Sequence, residues 1–220
     1  MTNDQLKQRT IRIKKLFVAL KKLFLETKTT LQYNTIWELV VAVSLSAQCT
    51  DKQVNKVTEK LFKKYQTLDD YVHADIHEFE NDIYSTGFYK NKAKNVLSAA
   101  KILHTQFGGV VPNTIAELTQ LPGVGRKTAN VVLCNGFGIV EGIAVDTHVR
   151  RFAIRYDLSD SRDPVKIEQD LMQLLPKKEW LHAAYYMIQY GRVLAPARRY
   201  DVAGDPLVKI YPPAGEIFRV

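Results

Sequence analysis

Apolar residues recur at helical spacing along almost the whole chain, and that period leaves little room for a sheet. Ile13, Leu16, Phe17, Leu20, Leu23 and Phe24 form one stripe, with Lys14, Lys15, Lys21 and Lys22 opposite. A membrane-surface helix shares this pattern, but a helix laid on a core with one wet face is the commoner outcome. Residues 36–47, IWELVVAVSLSA, are apolar nearly all round and predict a buried helix; a strand is the competitor, for which the run is long. Val54, Val57, Leu61, Phe62 and Tyr65 make the next stripe behind a Thr50–Asp51 cap. Thr67 with Asp70 and Thr114 with Glu117 read as capping boxes. A short helix is expected over Asn81–Tyr84, and a strong one after Gly87 that stops at Gly108-Gly109. Residues 126–136 continue as helix, with Gly136 or Gly138 stopping it. Asp146 has the position of an N-cap for Val149, Phe152, Ala153 and Tyr156. Asp163-Pro164 opens another helix, and a last long one is expected to end at Gly191. Pro196, Pro206, Pro212 and Pro213 then leave a coil-like tail. The fold class is all-α.

A chain of 220 residues can bury one substantial core or two modest ones. Its net charge of +8 points to a polyanionic partner, nucleic acid before anionic membrane; a merely basic solvated surface is the plain alternative. The two cysteines, Cys49 and Cys134, each sit in an apolar run and read as buried free thiols of a reducing compartment. Two cysteines without a CxxC cannot supply a cysteine-built metal site. The stretch Ile36–Ala47 is too short to span a bilayer, and residues 1–10 lack a signal peptide's apolar region. The expectation is a cytoplasmic protein, in or beside the bacterial nucleoid.

Residues 121–130, LPGVGRKTAN, carry the chemistry. Gly123 and Gly125 permit a tight turn and close backbone approach, and the helix start that follows offers N–H donors and a positive dipole to a phosphate. Arg126 and Lys127 add charge. A glycine turn between two helices is also common in bundles that bind nothing. Lys127 reads either as a solvated or phosphate-contacting lysine, or as an amine nucleophile. Three influences favour its free amine: the helix N-terminus, Arg126 and partial burial. Asp146, in VDTH (145–148), is a plain N-cap carboxylate or a group that takes the amine's proton or steadies cationic charge on a sugar. The two readings of Asp146 are compatible, because a cap fixes the direction of a carboxylate.

LPGVGRKTANVVL with AVDTHVRR resembles the helix-hairpin-helix and the following aspartate segment of the endonuclease III family of DNA glycosylases. LSAQCTDKQVNK (45–56) and TGFYKNKAKNV (86–96) carry the likeness further, so that it runs from about Leu31 to Arg192. It implies a two-lobed helix-hairpin-helix glycosylase fold. One lobe would be a six-helix barrel over 29–139, and the other would combine 1–28 with 140–220, DNA lying in the cleft. It implies a bifunctional glycosylase and AP lyase of base excision repair acting on oxidised pyrimidines. The expected partner is double-stranded DNA with a damaged pyrimidine or abasic site, and the expected state a monomer. Lys127 takes the catalytic lysine position and Asp146 that of the essential aspartate. Gln48 would fill the space left by an extruded base and Phe88 would wedge the opposing stack. Leu121, Gly123, Val124, Gly125, Arg126 and Thr128 would hold the backbone, and His148 a phosphate or the base. Read without the resemblance, Gln48 caps the buried helix, Phe88 belongs to a core and His148 is a surface residue. A monovalent cation on the carbonyls of the Gly123–Gly125 turn is compatible with the sequence.

The chain departs from the family at its end. Most relatives hold an iron–sulfur cluster there on four cysteines; counted without gaps from residue 191, those positions are Ala195, Val202, Asp205 and Tyr211. Such side chains do not hold a cluster as thiolates do. The expected protein therefore has no metal or cofactor. Tyr200, Leu207, Ile210, Tyr211 and Phe218 would pack the tail, and Arg198, Arg199 and Lys209 would touch phosphate. Two alternatives stay open: a monofunctional adenine or mismatch-thymine glycosylase, and a non-catalytic helix-hairpin-helix module. The first usually lacks the lysine; adenine enzymes also carry a glutamate where this chain reads VAVSLSAQ (41–48).

Overall fold

The computed structural model describes residues 2–25, 29–196 and 200–217, and among them no strand forms. In chain order the helices are α1 (Asn3–Leu23), α2 (Ile36–Leu45), α3 (Asp51–Lys64), α4 (Leu68–Val72), α5 (Ile76–Ile83) and α6 (Tyr89–Gln106). There follow α7 (Ile115–Leu118), α8 (Arg126–Val132), α9 (Thr147–Arg155), α10 (Pro164–Leu174) and α11 (Trp180–Val193). They gather into two compact units, residues 29–141 and residues 1–28 with 142–220.

In the unit 29–141, α2 is the buried axis. Thr35 caps it in a box with Glu38, and Trp37, Leu39, Val40, Val41, Val43 and Leu45 are all buried. Helices α3, α6 and α8 pack on it, and α4 and α5 lie on α6. Burying each of the leucine and valine side chains of α2 contributes roughly 1.5–3 kcal/mol. Thr50 and Thr67 cap α3 and α4. The helix expected over Asn81–Tyr84 instead starts at Ile76, where Asp75 accepts from Glu78 N–H, and a 3₁₀ turn, Tyr84–Thr86, follows. Cys49 and Cys134 are free and half-buried rather than fully buried. Burial pushes the Cys134 thiol up to about 11.

In the second unit α1 packs on α10 and α11, and α9 packs on both of these. Ile13, Leu16, Phe17 and Leu20 of the first stripe are buried, but Leu23 ends the helix exposed. Arg9 is buried too, its guanidinium paired with Asp157 at 2.6 Å and Asp160 at 2.5 Å. Helix α11 does not end at Gly191; it continues to Val193. The tail is turns and a 3₁₀ helix, Pro212–Glu216, with Asp205, Leu207 and Ala214 buried and Tyr200, Ile210 and Tyr211 partly so. Lys209 is exposed. Arg198, Arg199 and Phe218 lie outside the described residues.

Candidate active site

The hairpin is built by local bonds. Leu121 N–H donates to Leu118 O at 3.1 Å, and Val124 N–H to Leu121 O at 3.0 Å. The side chains of Leu121 and Val124 are buried and anchor the turn, so they can touch a ligand only through backbone. Gly123 has φ +80°, and a methyl group there would lie 3.0 Å from Asn95 Cβ. The position therefore excludes a side chain twice over. Gly125 is the N-cap of α8 and supplies no capping side chain, unlike the threonines and aspartates that start most other helices here. The first turn of α8 thus displays Lys127 and the half-buried Thr128 with no side chain closing its end. Lys127 is exposed, so the partial burial expected from sequence does not operate. Helix α8 runs on into a π turn, Leu133–Phe137, which Gly138 closes at φ +68°.

Two further candidates stand on left-handed backbone in the same unit. Gln48 has φ +55° and is exposed; the C-cap of α2 is Ser46, whose Oγ donates to Val43 O at 2.8 Å. Gln48 therefore does not cap the buried helix. Phe88 has φ +49° and is 63% exposed, which removes it from any core. A bare aromatic ring held on a strained single-residue bend is a costly thing to leave in water.

Asp146 and His148 belong to the other unit. Asp146 caps α9: Oδ1 accepts from His148 N–H at 2.8 Å and Val149 N–H at 2.9 Å. Among the described residues no hydrogen bond reaches Oδ2. His148 is half-buried, and burial pulls its pKa below the ordinary histidine range; Asp146 opposes this, while Arg151 and Arg192 reinforce it. Arg151 Nη2 lies 3.1 Å from His148 Nδ1 and 3.4 Å from Gly191 O, joining α9 to α11. A methyl group at Gly191 would come within 2.5 Å of Nδ1, so this glycine makes room for the imidazole. The sequence marked Gly191 only as a helix stop.

The tail residues do not fit an iron–sulfur cluster. Ala195 is buried and Asp205 is a carboxylate amid phenols, while both cysteines of the chain belong to the unit 29–141. Asp205 Oδ2 accepts from Tyr156 at 3.1 Å, from Tyr200 at 2.7 Å and from Tyr190, and its Oδ1 accepts from Leu207 N–H at 2.8 Å. Arg155 stacks over the Tyr200 ring at 3.8 Å, and Arg12 over the Tyr211 ring at 4.1 Å. A satisfied buried polar network of this kind orders a segment much as a ligand would. No group of histidine, cysteine or carboxylate residues suited to a metal ion occurs among the described residues, and no described helix is long and apolar enough to cross a membrane.

Residues 41–177 match the model of the HhH-GPD superfamily of base excision DNA repair proteins. The endonuclease III of Synechocystis sp. is 45% identical over 188 residues, 86% of each chain. That of Bacillus subtilis is 43% identical over 189 residues, again 86% of each. A trapped endonuclease III–DNA covalent intermediate superposes with a TM-score of 0.90 at 39% identity, over 96% of this chain and 99% of that one. A thermostable thymine-DNA glycosylase, 19% identical with a TM-score of 0.76, shares the fold. The chain therefore belongs to the endonuclease III family within the HhH-GPD superfamily. It is a DNA glycosylase and AP lyase.

Proposed function

We propose that the chain binds duplex DNA, removes oxidised pyrimidines and nicks the strand with Lys127 as nucleophile. The reading rests on one observation: an uncapped helix start that displays Lys127, in a family with a member trapped covalently on DNA. The free amine of Lys127 attacks C1′ of the damaged nucleotide; the C1′–N bond breaks and the base leaves with a proton. The attacking nitrogen having released one proton, the C1′–O4′ bond breaks, O4′ takes up a proton as a hydroxyl, and the nitrogen becomes an iminium. Loss of a C2′ proton then expels the 3′ phosphate by β-elimination. Asp146 takes the amine's proton or steadies positive charge on the sugar, through the Oδ2 that its cap leaves open. Gln48 fills the gap left by the flipped nucleotide, and Phe88 wedges the opposite stack. Backbone N–H groups of the hairpin take a phosphate. The site works without an iron–sulfur cluster.

Incubation with a thymine glycol or abasic duplex under borohydride tests this directly. A covalent adduct forms with the native protein and is lost in Lys127→Ala. Tight binding without an adduct on either duplex would point instead to a non-catalytic module. Base release without an adduct would point to a monofunctional glycosylase.

A further inference from the structure

Lys92 lies near the start of α6 and is only 7% exposed. Its Nζ donates to two backbone carbonyls, Leu45 O and Thr86 O, each at 2.8 Å. Both bonds go to neutral dipoles rather than to a carboxylate. Burying an ammonium on such terms is expensive, and burial pulls this lysine's pKa below its ordinary range, with Cys49 pulling back. An apolar side chain of the same length would fill the space more cheaply, so the charge has to be explained by what it holds.

The two carbonyls end the elements that lead into Gln48 and Phe88. Leu45 is the last residue of α2, and Gln48 follows three residues later on left-handed backbone. Thr86 closes the 3₁₀ turn, Gly87 comes next at φ +70°, and then Phe88. Each bend has a short-range backbone bond of its own, Cys49 N–H to Ser46 O at 3.1 Å and Gly87 N–H to Tyr84 O at 3.3 Å. Thr86 Oγ1, itself buried, donates to Ile83 O at 2.8 Å. Across the two bends Gln53 Nε2 donates to Ser85 Oγ at 2.8 Å, on the exposed side, while Lys92 ties them from beneath.

We infer that Lys92 is a positioning residue: one buried ammonium clamps the Gln48 and Phe88 bends together, so that both side chains enter a duplex at matched levels. The inference rests on the DNA-contact roles proposed for Gln48 and Phe88. Two side chains that occupy neighbouring levels of one stack need a fixed separation, and carbonyls held by a single Nζ cannot drift apart independently.

A kinetic cycle on an abasic-site duplex tests the clamp. Lys92→Met keeps the aliphatic stem and removes the donors. It is measured in the native chain and in a Gln48→Ala/Phe88→Ala background, with single-turnover nicking as the readout. The clamp predicts a loss of roughly tenfold to a hundredfold in the native chain and less than about twofold in the doubly substituted one. A merely structural lysine would slow both backgrounds equally, and that result, or no loss in the native chain, overturns the clamp alone. Native rates in the Gln48→Ala/Phe88→Ala chain would overturn the DNA-contact reading beneath it. Should Lys92→Met not fold, Lys92→Leu, which also removes the donors, enters the same cycle with the same outcomes deciding it.

Discussion

Asp146 shows how one carboxylate serves two ends. Its Oδ1 holds the first turn of α9, and its charge faces the positive end of that helix. Asparagine caps about as well as aspartate, so Asp146→Asn should cost under about 1 kcal/mol in urea unfolding. The nicking rate on an abasic duplex should nevertheless fall by roughly a hundredfold or more, because the amide neither takes a proton nor steadies a cation. Unchanged turnover would contradict the role given to Asp146. The cap was legible in the sequence because capping is local, a matter of one side chain and the next three residues. Lys92 was not legible. It stands between Lys90 and Lys94 in a run of look-alike residues, and only the meeting of α6 with the distant end of α2 sets it apart.

At the scale of elements, starts were easier to place than stops. Thr50, Thr67, Asp146 and Asp163 all cap the helices they seemed to introduce. Gly191 looked like a stop and is instead a notch in α11 that admits His148. On propensity alone Gly191→Ala would stabilise an exposed helix by about 1 kcal/mol. Here the added methyl meets the imidazole of His148, and overpacking should destabilise the fold by roughly 1–3 kcal/mol. Denaturant unfolding measures the sign. A gain in stability would show that His148 swings away freely, and the link from α11 to the Asp146 cap would then be unimportant. Leu133–Phe137 is a comparable case: within this π turn Gly136 lies against Ile36, at 3.2 Å for an added methyl, a contact that no local pattern in 126–136 encodes.

For the molecule as a whole, each unit encloses its own apolar core, and the tail of the second is ordered around Asp205. The residues at the positions where the resemblance implies cysteines were countable in the sequence; the three phenols that converge on one of them, from the end of α9, from α11 and from the tail, were not. Burial raises the pKa of Tyr156, Tyr190 and Tyr200 above the ordinary 10.0, with Asp205 adding to the rise in each case. The unfolded chain therefore ionises these phenols first. Their contribution to stability is intact below pH 10 and is lost as pH climbs past it. Thermal unfolding followed against alkaline pH should show this loss, and Tyr156→Phe should flatten it. An unchanged slope in that variant would place the alkaline sensitivity elsewhere.

The left-handed bends at Gln48 and Phe88 have a bearing on how such a site can change over evolutionary time. At positive φ a β-branched side chain collides with its own backbone, whereas unbranched residues, asparagine and glycine are accommodated. Valine, isoleucine and threonine are therefore screened out at both positions before any encounter with a nucleic acid. The variety open to the two probing side chains is narrowed first by the bend that carries them and only afterwards by what they probe.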